Sequence, residues 1–289
     1  MNDAVLFGGA AAVLYGVTDL IARSANRENG VARTLLWGQA LLAVLLTGAV
    51  VAFGKPLPAD PFAWVTLLGS GLMVLAGTTC LYHGLKVGRV AVVAPLMACY
   101  GAVGALLSFA TGEHIGWAAG IGLALTAAGA VLSAVPHAET GKGKRDRPSG
   151  WLPATGSALL YGTAYWIQGR YAVPVFGALD AIWIYYVFAT IVVAVFALVR
   201  RQDVRLTGTR DTLLIAATAV LAAGGYLALA FGQASGSVAV ATALSAAASA
   251  ITVLLARVFI REKVAIAGWI GVACVVAGVA TLHLSVAAS

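Results

Sequence analysis

The sequence predicts an all-α integral membrane protein whose ten transmembrane helices form a 5+5 inverted repeat. Three observations predict it. Of the 289 residues, 61% are hydrophobic and 10% are charged. A soluble domain carries about 25% charged residues, so this chain cannot cover a water-facing surface. Mean hydropathy is +0.94, and the length suits ten spans of about 20 residues with short connections. Finally, the second five apolar stretches repeat the pattern of the first five. A copy with an odd number of crossings turns its successor upside down in the bilayer.

The spans are expected at 4–22, 33–53, 63–84, 90–110, 115–135, 151–169, 179–199, 212–232, 237–257 and 264–284. All should be helices, because lone strands cannot satisfy their backbones in lipid. Residues 1–136 form the first five-helix repeat, 137–150 a polar linker and 151–289 the second repeat. The N-terminus, Met-Asn-Asp-Ala-Val, has no basic n-region, so the first stretch is expected to be a retained helix and not a cleaved signal.

The repeat is checked by register. Leu14-Tyr15-Gly16 matches Leu160-Tyr161-Gly162, and the same shift pairs Trp37 with Trp183. Val90-Ala91-Val92 pairs with Val238-Ala239-Val240. Glu113 precedes Gly122 and Gly129 by the same spacings at which Glu262 precedes Gly271 and Gly278.

Charge placement argues about orientation and partners. Of the 18 Lys and Arg residues, only Lys55 and Arg170 fall in even-numbered loops. By the positive-inside rule the odd loops then face the cytoplasm and both termini lie outside. The net charge of +7 is explained by these loop residues, which argues against a nucleic-acid partner. Cys80, Cys99 and Cys274 lie inside apolar stretches without metal-ligand spacing. No residue pattern points to a cofactor, a metal or a catalytic group.

The pattern resembles the EamA family of the drug/metabolite transporter superfamily. The carrying residues are Leu14-Tyr15-Gly16, the run from Gly84 to Leu96 (GLKVGRVAVVAPL), and the glycines following Glu113 and Glu262. The resemblance covers nearly the whole chain. It implies a 5+5 inverted-repeat carrier of small metabolites such as amino acids, drugs or sugars, in the cell (inner) membrane. Tyr15-Gly16 stands where the family commonly has Trp-Gly, and Asp19 where an uncharged residue is usual. The family commonly has cytoplasmic termini, against the charge count, so orientation stays open.

Candidate substrate-binding residues follow from chemistry that is costly in lipid. Asp19 is a carboxylate in an apolar helix, so it either serves a site or pairs with Arg23 one turn on. Tyr15, Tyr82, Tyr161, Tyr165, Trp183 and Tyr226 offer rings with a polar handle, suited to stacking or to cations. The alternative for such rings is the interfacial belt, which accounts for Trp64, Trp117, Trp151 and Trp269. Gln39 and Gln233 can hydrogen-bond a substrate or join helices. Thr242, Ser245, Ser249 and Thr252 share one helix face, which can line a cavity or allow close packing. Pro95 is expected to kink the fourth helix. Gly116 with Gly120, and Gly268 with Gly271, read as close-packing positions in the fifth and tenth helices, the candidates for homodimer contacts.

The expected activity is secondary active transport of a small organic metabolite by alternating access. Proton coupling, Na+ coupling, uniport and exchange all stay open. The rivals are a channel or non-transporting scaffold and, further off, a membrane enzyme. The four histidines are scattered and form no H-E-x-x-H helix, and there is no G-x-x-x-x-G-K-[ST] phosphate loop.

Overall fold

The computed structural model describes residues 2–112, 116–133, 150–206, 208–235, 237–261 and 266–287. Among them every regular element is helical. The first repeat supplies α1 (Asn2–Asn29), α2 (Val31–Phe53), α3 (Pro61–Val87), α4 (Val90–Ala98), α5 (Tyr100–Ala110) and α6 (Trp117–Ser133). The second supplies α7 (Trp151–Ile167), α8 (Val173–Phe176), α9 (Ala178–Val199), α10 (Thr209–Ala234), α11 (Val238–Ser245), α12 (Ala248–Leu255) and α13 (Ile266–Ala287). Glu113, His114, the stretch 134–149 and Glu262 lie outside the described residues.

Local chemistry sets the boundaries. Gly30, at φ 80°, makes a one-residue corner between α1 and α2. Asp60 caps α3 by accepting from the Phe62 amide at 3.0 Å, and Pro61 opens the helix where its missing N–H costs nothing. Ser237 caps α11 through the Val240 amide at 3.2 Å.

Seven helical segments are long and apolar enough to cross a membrane: Asp3–Asn29, Val31–Phe53, Pro61–Val87, Val92–Ala110, Ala178–Val199, Thr209–Ala234 and Val238–Ile260. Gly120–Gly129 and Ile266–Gly278 are shorter apolar helices. Where a span of 151–169 is expected, α7 runs 17 residues and continues through a π-helical turn, Gln168–Ala172, into α8. Pro174 has no amide to extend the ladder, and the Val173 amide reaches back to Gln168 O instead. Large apolar side chains such as Val51, Phe53 and Leu198 point outward, exposed, from these helices, as suits contact with lipid tails.

Two of the long segments are broken at matching places. The α4–α5 break falls at Cys99, four residues after Pro95, where the Cys99 amide tightens onto Leu96 O. The α11–α12 break falls at Ala246 and Ala247 and contains no proline. There Ser245 Oγ donates to Thr242 O at 2.8 Å, a back-bond that bends helices. The breaks cross: a Cβ on Gly101 would stand 2.7 Å from Ala246 Cβ.

Matching helices of the two halves run antiparallel. Along α2 and α9, Arg33 pairs with Asp203, Gln39 with Tyr185, Trp183 with Thr47 and the Lys55 amide with Asp180. Numbers rise on one helix as they fall on the other. In α6 and α13, Gly129 lies against Gly271 and Val275 while Gly278 lies against Gly122 and Thr126. Gly116 and Gly120, expected at close-packed positions, meet nothing within 4 Å inside the chain.

The Leu-Tyr-Gly motifs explain how the halves interlock. Leu14 and Tyr15 of α1 lie against Gly224 and Gly225 of α10, and Gly16 against Ala248 and Ile251 of α12. Correspondingly, Leu160 and Tyr161 of α7 lie against Gly77 of α3, and Gly162 against Tyr100 and Val103 of α5. In each copy the glycine admits the partner half's broken helix, and the tyrosine before it turns toward the centre.

Candidate functional site

A central pocket opens where both motifs converge. Its walls come from α1, α2, α3 and the α4–α5 break in one half, and from α7, α9 and α10 in the other. The cavity is about 80 Å³, enough for a handful of water-sized molecules. A larger organic solute requires the surrounding rings to part.

Tyrosine dominates the lining. Eight of the nine tyrosines in the chain face this pocket; Tyr171 is the exception. Tyr161 stacks on Tyr165 at 5.2 Å between centroids, and Tyr165 meets Tyr226 at 5.6 Å. Tyr185 meets Tyr226 edge-on at 5.2 Å and Tyr186 at 5.0 Å. Such offset and edge-to-face pairs are favourable beyond their burial.

Most hydroxyls are anchored to the opposite wall or behind it. Tyr161 shares a hydrogen bond with Thr78 at 2.7 Å, and Tyr100 with Ser245 at 2.8 Å. Tyr226 donates to Gln168 Oε1 at 2.5 Å, which gives the π-helical turn a role in aiming Gln168. Gln39 Nε2 donates to the Tyr185 hydroxyl at 3.2 Å. Gln39 Oε1 is buried without a hydrogen-bond partner.

Asp19 is the charged side chain in the lining and is 3% exposed. Thr252 Oγ1, from the other half, lies 3.2 Å from its Oδ2. None of the ion pairs of 4.0 Å or less among the described residues includes Asp19, so the local pairing with Arg23 is not formed. By register the counterpart of Asp19 is Tyr165 and that of Thr252 is Gly104. The polar link therefore exists on one side of the molecule only.

A second cavity adjoins the first, and Leu35 belongs to the walls of both. It is larger, about 730 Å³, and carries Arg33, His83, Lys86 and Asp203 among its lining. The cationic groups thus line the neighbouring cavity and not the central pocket.

Of the expected site residues, the structure brings together Tyr15, Asp19, Gln39, Tyr82, Tyr161, Tyr165 and Tyr226. It places Trp183 outside, at the α2–α9 seam, where its indole N–H donates to Thr47 Oγ1 at 2.9 Å. Ser245 and Ser249 are fully buried behind the wall; small hydroxyl side chains there serve the crossing of broken helices. Gln233 also stands back, donating to Tyr165 O and Thr242 Oγ1. Tyr100, Tyr185, Tyr186, Thr18, Thr34, Thr78 and Thr218 line the pocket without having been singled out. The signal available for the tyrosines was their near-total confinement to span interiors.

A multi-pass helical membrane protein with a central pocket between two related halves is the class these features define. The profile of the EamA-like transporter family matches residues 3–135 and again 148–284. The chain belongs to that family, a membrane transporter family of the drug/metabolite transporter superfamily. A solved structure titled only "Crystal structure of protein" superposes at a TM-score of 0.76 with 21% identity, covering 97% of this chain and 98% of the other. At that identity the likeness concerns the fold alone. No curated protein matches the chain in sequence.

Proposed function

We propose that the protein is a secondary active transporter that carries a small organic metabolite through the tyrosine-lined pocket by alternating access. Ten crossings in two inverted five-helix halves, 1–136 and 151–289, form the carrier in the cell membrane. The antiparallel run of α2 with α9 and of α6 with α13 supports inversion. The observation that carries the reading is the position of the pocket. It lies between the halves, walled by both and with the α4–α5 break in its lining, where rocking of one half against the other exposes it to each side in turn.

Tyr15, Asp19, Gln39, Tyr82, Tyr161, Tyr165 and Tyr226 form the substrate site in this reading. Transport is driven by a gradient, since the chain has no phosphate-binding loop. Purified protein in proteoliposomes tests the reading with labelled amino acids, sugars, nucleosides and organic amines. Saturable flux with counterflow supports a carrier. Flux that never saturates identifies a channel, and no flux for any solute overturns transport.

A further inference from the structure

We propose that the central pocket takes an organic cation, its ammonium centre held between tyrosine faces and the Asp19 carboxylate. The proposal rests on the carrier reading and names the substrate class of that same site. Three observations carry it.

The first is sign. Asp19 is almost wholly buried, and no Lys, Arg or His stands among the described lining residues. The adjoining cavity holds Arg33, His83 and Lys86 instead. A buried carboxylate without a cationic partner is costly, and a cationic ligand supplies that partner. The second is spare acceptor capacity. Gln39 Oε1 is buried, faces no donor, and belongs to a pocket residue whose Nε2 is already committed to Tyr185. An ammonium N–H is the complement of such an oxygen. The third is the rings, whose π faces attract a cation placed within about 6 Å of a centroid.

The same lining works against other solutes. A zwitterion or anion would bring its carboxylate beside Asp19 in a low-dielectric pocket with no basic side chain among the described lining residues to receive it. Amino acids and organic acids are therefore disfavoured relative to amines of similar shape.

The test uses the full chain in proteoliposomes and solutes that share a ring but differ in charge: phenethylammonium, phenylalanine and 3-phenylpropionate. Tetraethylammonium, choline and putrescine extend the cationic arm. At least one cation should be taken up saturably, with phenylalanine and phenylpropionate failing to compete at equal concentration. Asp19→Asn should lower that uptake by about tenfold or more, and Asp19→Glu should recover part of it. Tyr226→Leu should weaken cation uptake, and Tyr226→Phe, which restores the ring face, should recover part of it. The Tyr226 pair supplies an independent reading should the Asp19 variant fail to fold. Saturable uptake of phenylalanine or phenylpropionate with none for any cation overturns the cation assignment and leaves the carrier standing. Cation uptake that is indifferent to Asp19→Asn also overturns it. Absence of saturable flux across a broad panel of every charge type overturns the carrier reading itself.

Discussion

Gly16 packs so closely on Ile251 that a Cβ on the glycine would stand 2.7 Å from the isoleucine Cβ. Gly162 makes the corresponding approach to Val103, at 2.5 Å. Neither neighbour is a flexible tip, so an added methyl has to displace a helix. Gly16→Ala and Gly162→Ala should each destabilise the protein by about 1–3 kcal/mol. Thermal unfolding in detergent checks this, with Gly9→Ala as the control: nothing stands within 4 Å of a Cβ at Gly9, and that variant should unfold near the wild-type temperature.

Asp19→Asn keeps the shape of the side chain and an oxygen for the Thr252 hydroxyl. Unfolding temperature should therefore change little, while uptake falls and its variation with pH flattens. Initial rates measured from about pH 5.5 to about pH 8.5 decide the matter. A variant whose profile matches the wild type throughout would relegate Asp19 to packing.

Two tyrosine-to-phenylalanine changes should differ in cost. Tyr161→Phe removes a hydroxyl from Thr78, but Thr78 Oγ1 still reaches Val74 O at 2.8 Å. The expected loss is about 1 kcal/mol or less. Tyr185→Phe strands the Gln39 amide, whose carbonyl already lacks a partner, and should cost about 1–3 kcal/mol. Comparative unfolding of the two variants measures the difference.

Trp183→Phe tests the boundary of the site. Its indole serves the Thr47 hydroxyl at the seam of α2 and α9, away from the pocket walls. Uptake should stay within about twofold of wild type, with a stability loss of about 1 kcal/mol. A large rise in KM without loss of stability would bring Trp183 back to the substrate.

The proposed ten crossings would put both chain ends on one face and the 137–150 linker on the other. Single cysteines at Ser149 and Ser289, introduced after replacing Cys80, Cys99 and Cys274, should label with impermeant maleimide from opposite sides of the membrane. Labelling from the same side would defeat the inverted arrangement.

The helical segments were legible because runs of about 20 apolar residues stand between charged or Gly/Pro-rich connections. The repeat was legible through a few matched residues, and Leu-Tyr-Gly turned out to be a packing device as well as a register mark. The inward faces were far less legible. In lipid the outer surface is as apolar as the core, so periodicity does not separate pocket from bilayer. Trp183 and Tyr185 sit two residues apart on α9, and only the second lines the pocket. The break at Ala246–Ala247 carried no Pro or Gly because it arises from a serine back-bond and the crossing with Gly101. Pro95 did signal its counterpart at Cys99.

The one-sided link from Asp19 to Thr252, opposed by Tyr165 and Gly104 across the pseudo-symmetry, has a thermodynamic consequence. Were the halves chemically alike, exchanging their conformations would leave the energy unchanged, and the empty protein would spend equal time open to either side. A polar fastening without a twin, as here and at Tyr100–Ser245, makes the two end states differ in free energy. In the proposed carrier the Asp19–Thr252 pair then contributes to the resting direction, and removing the threonine hydroxyl would redistribute the empty protein between its outward and inward forms.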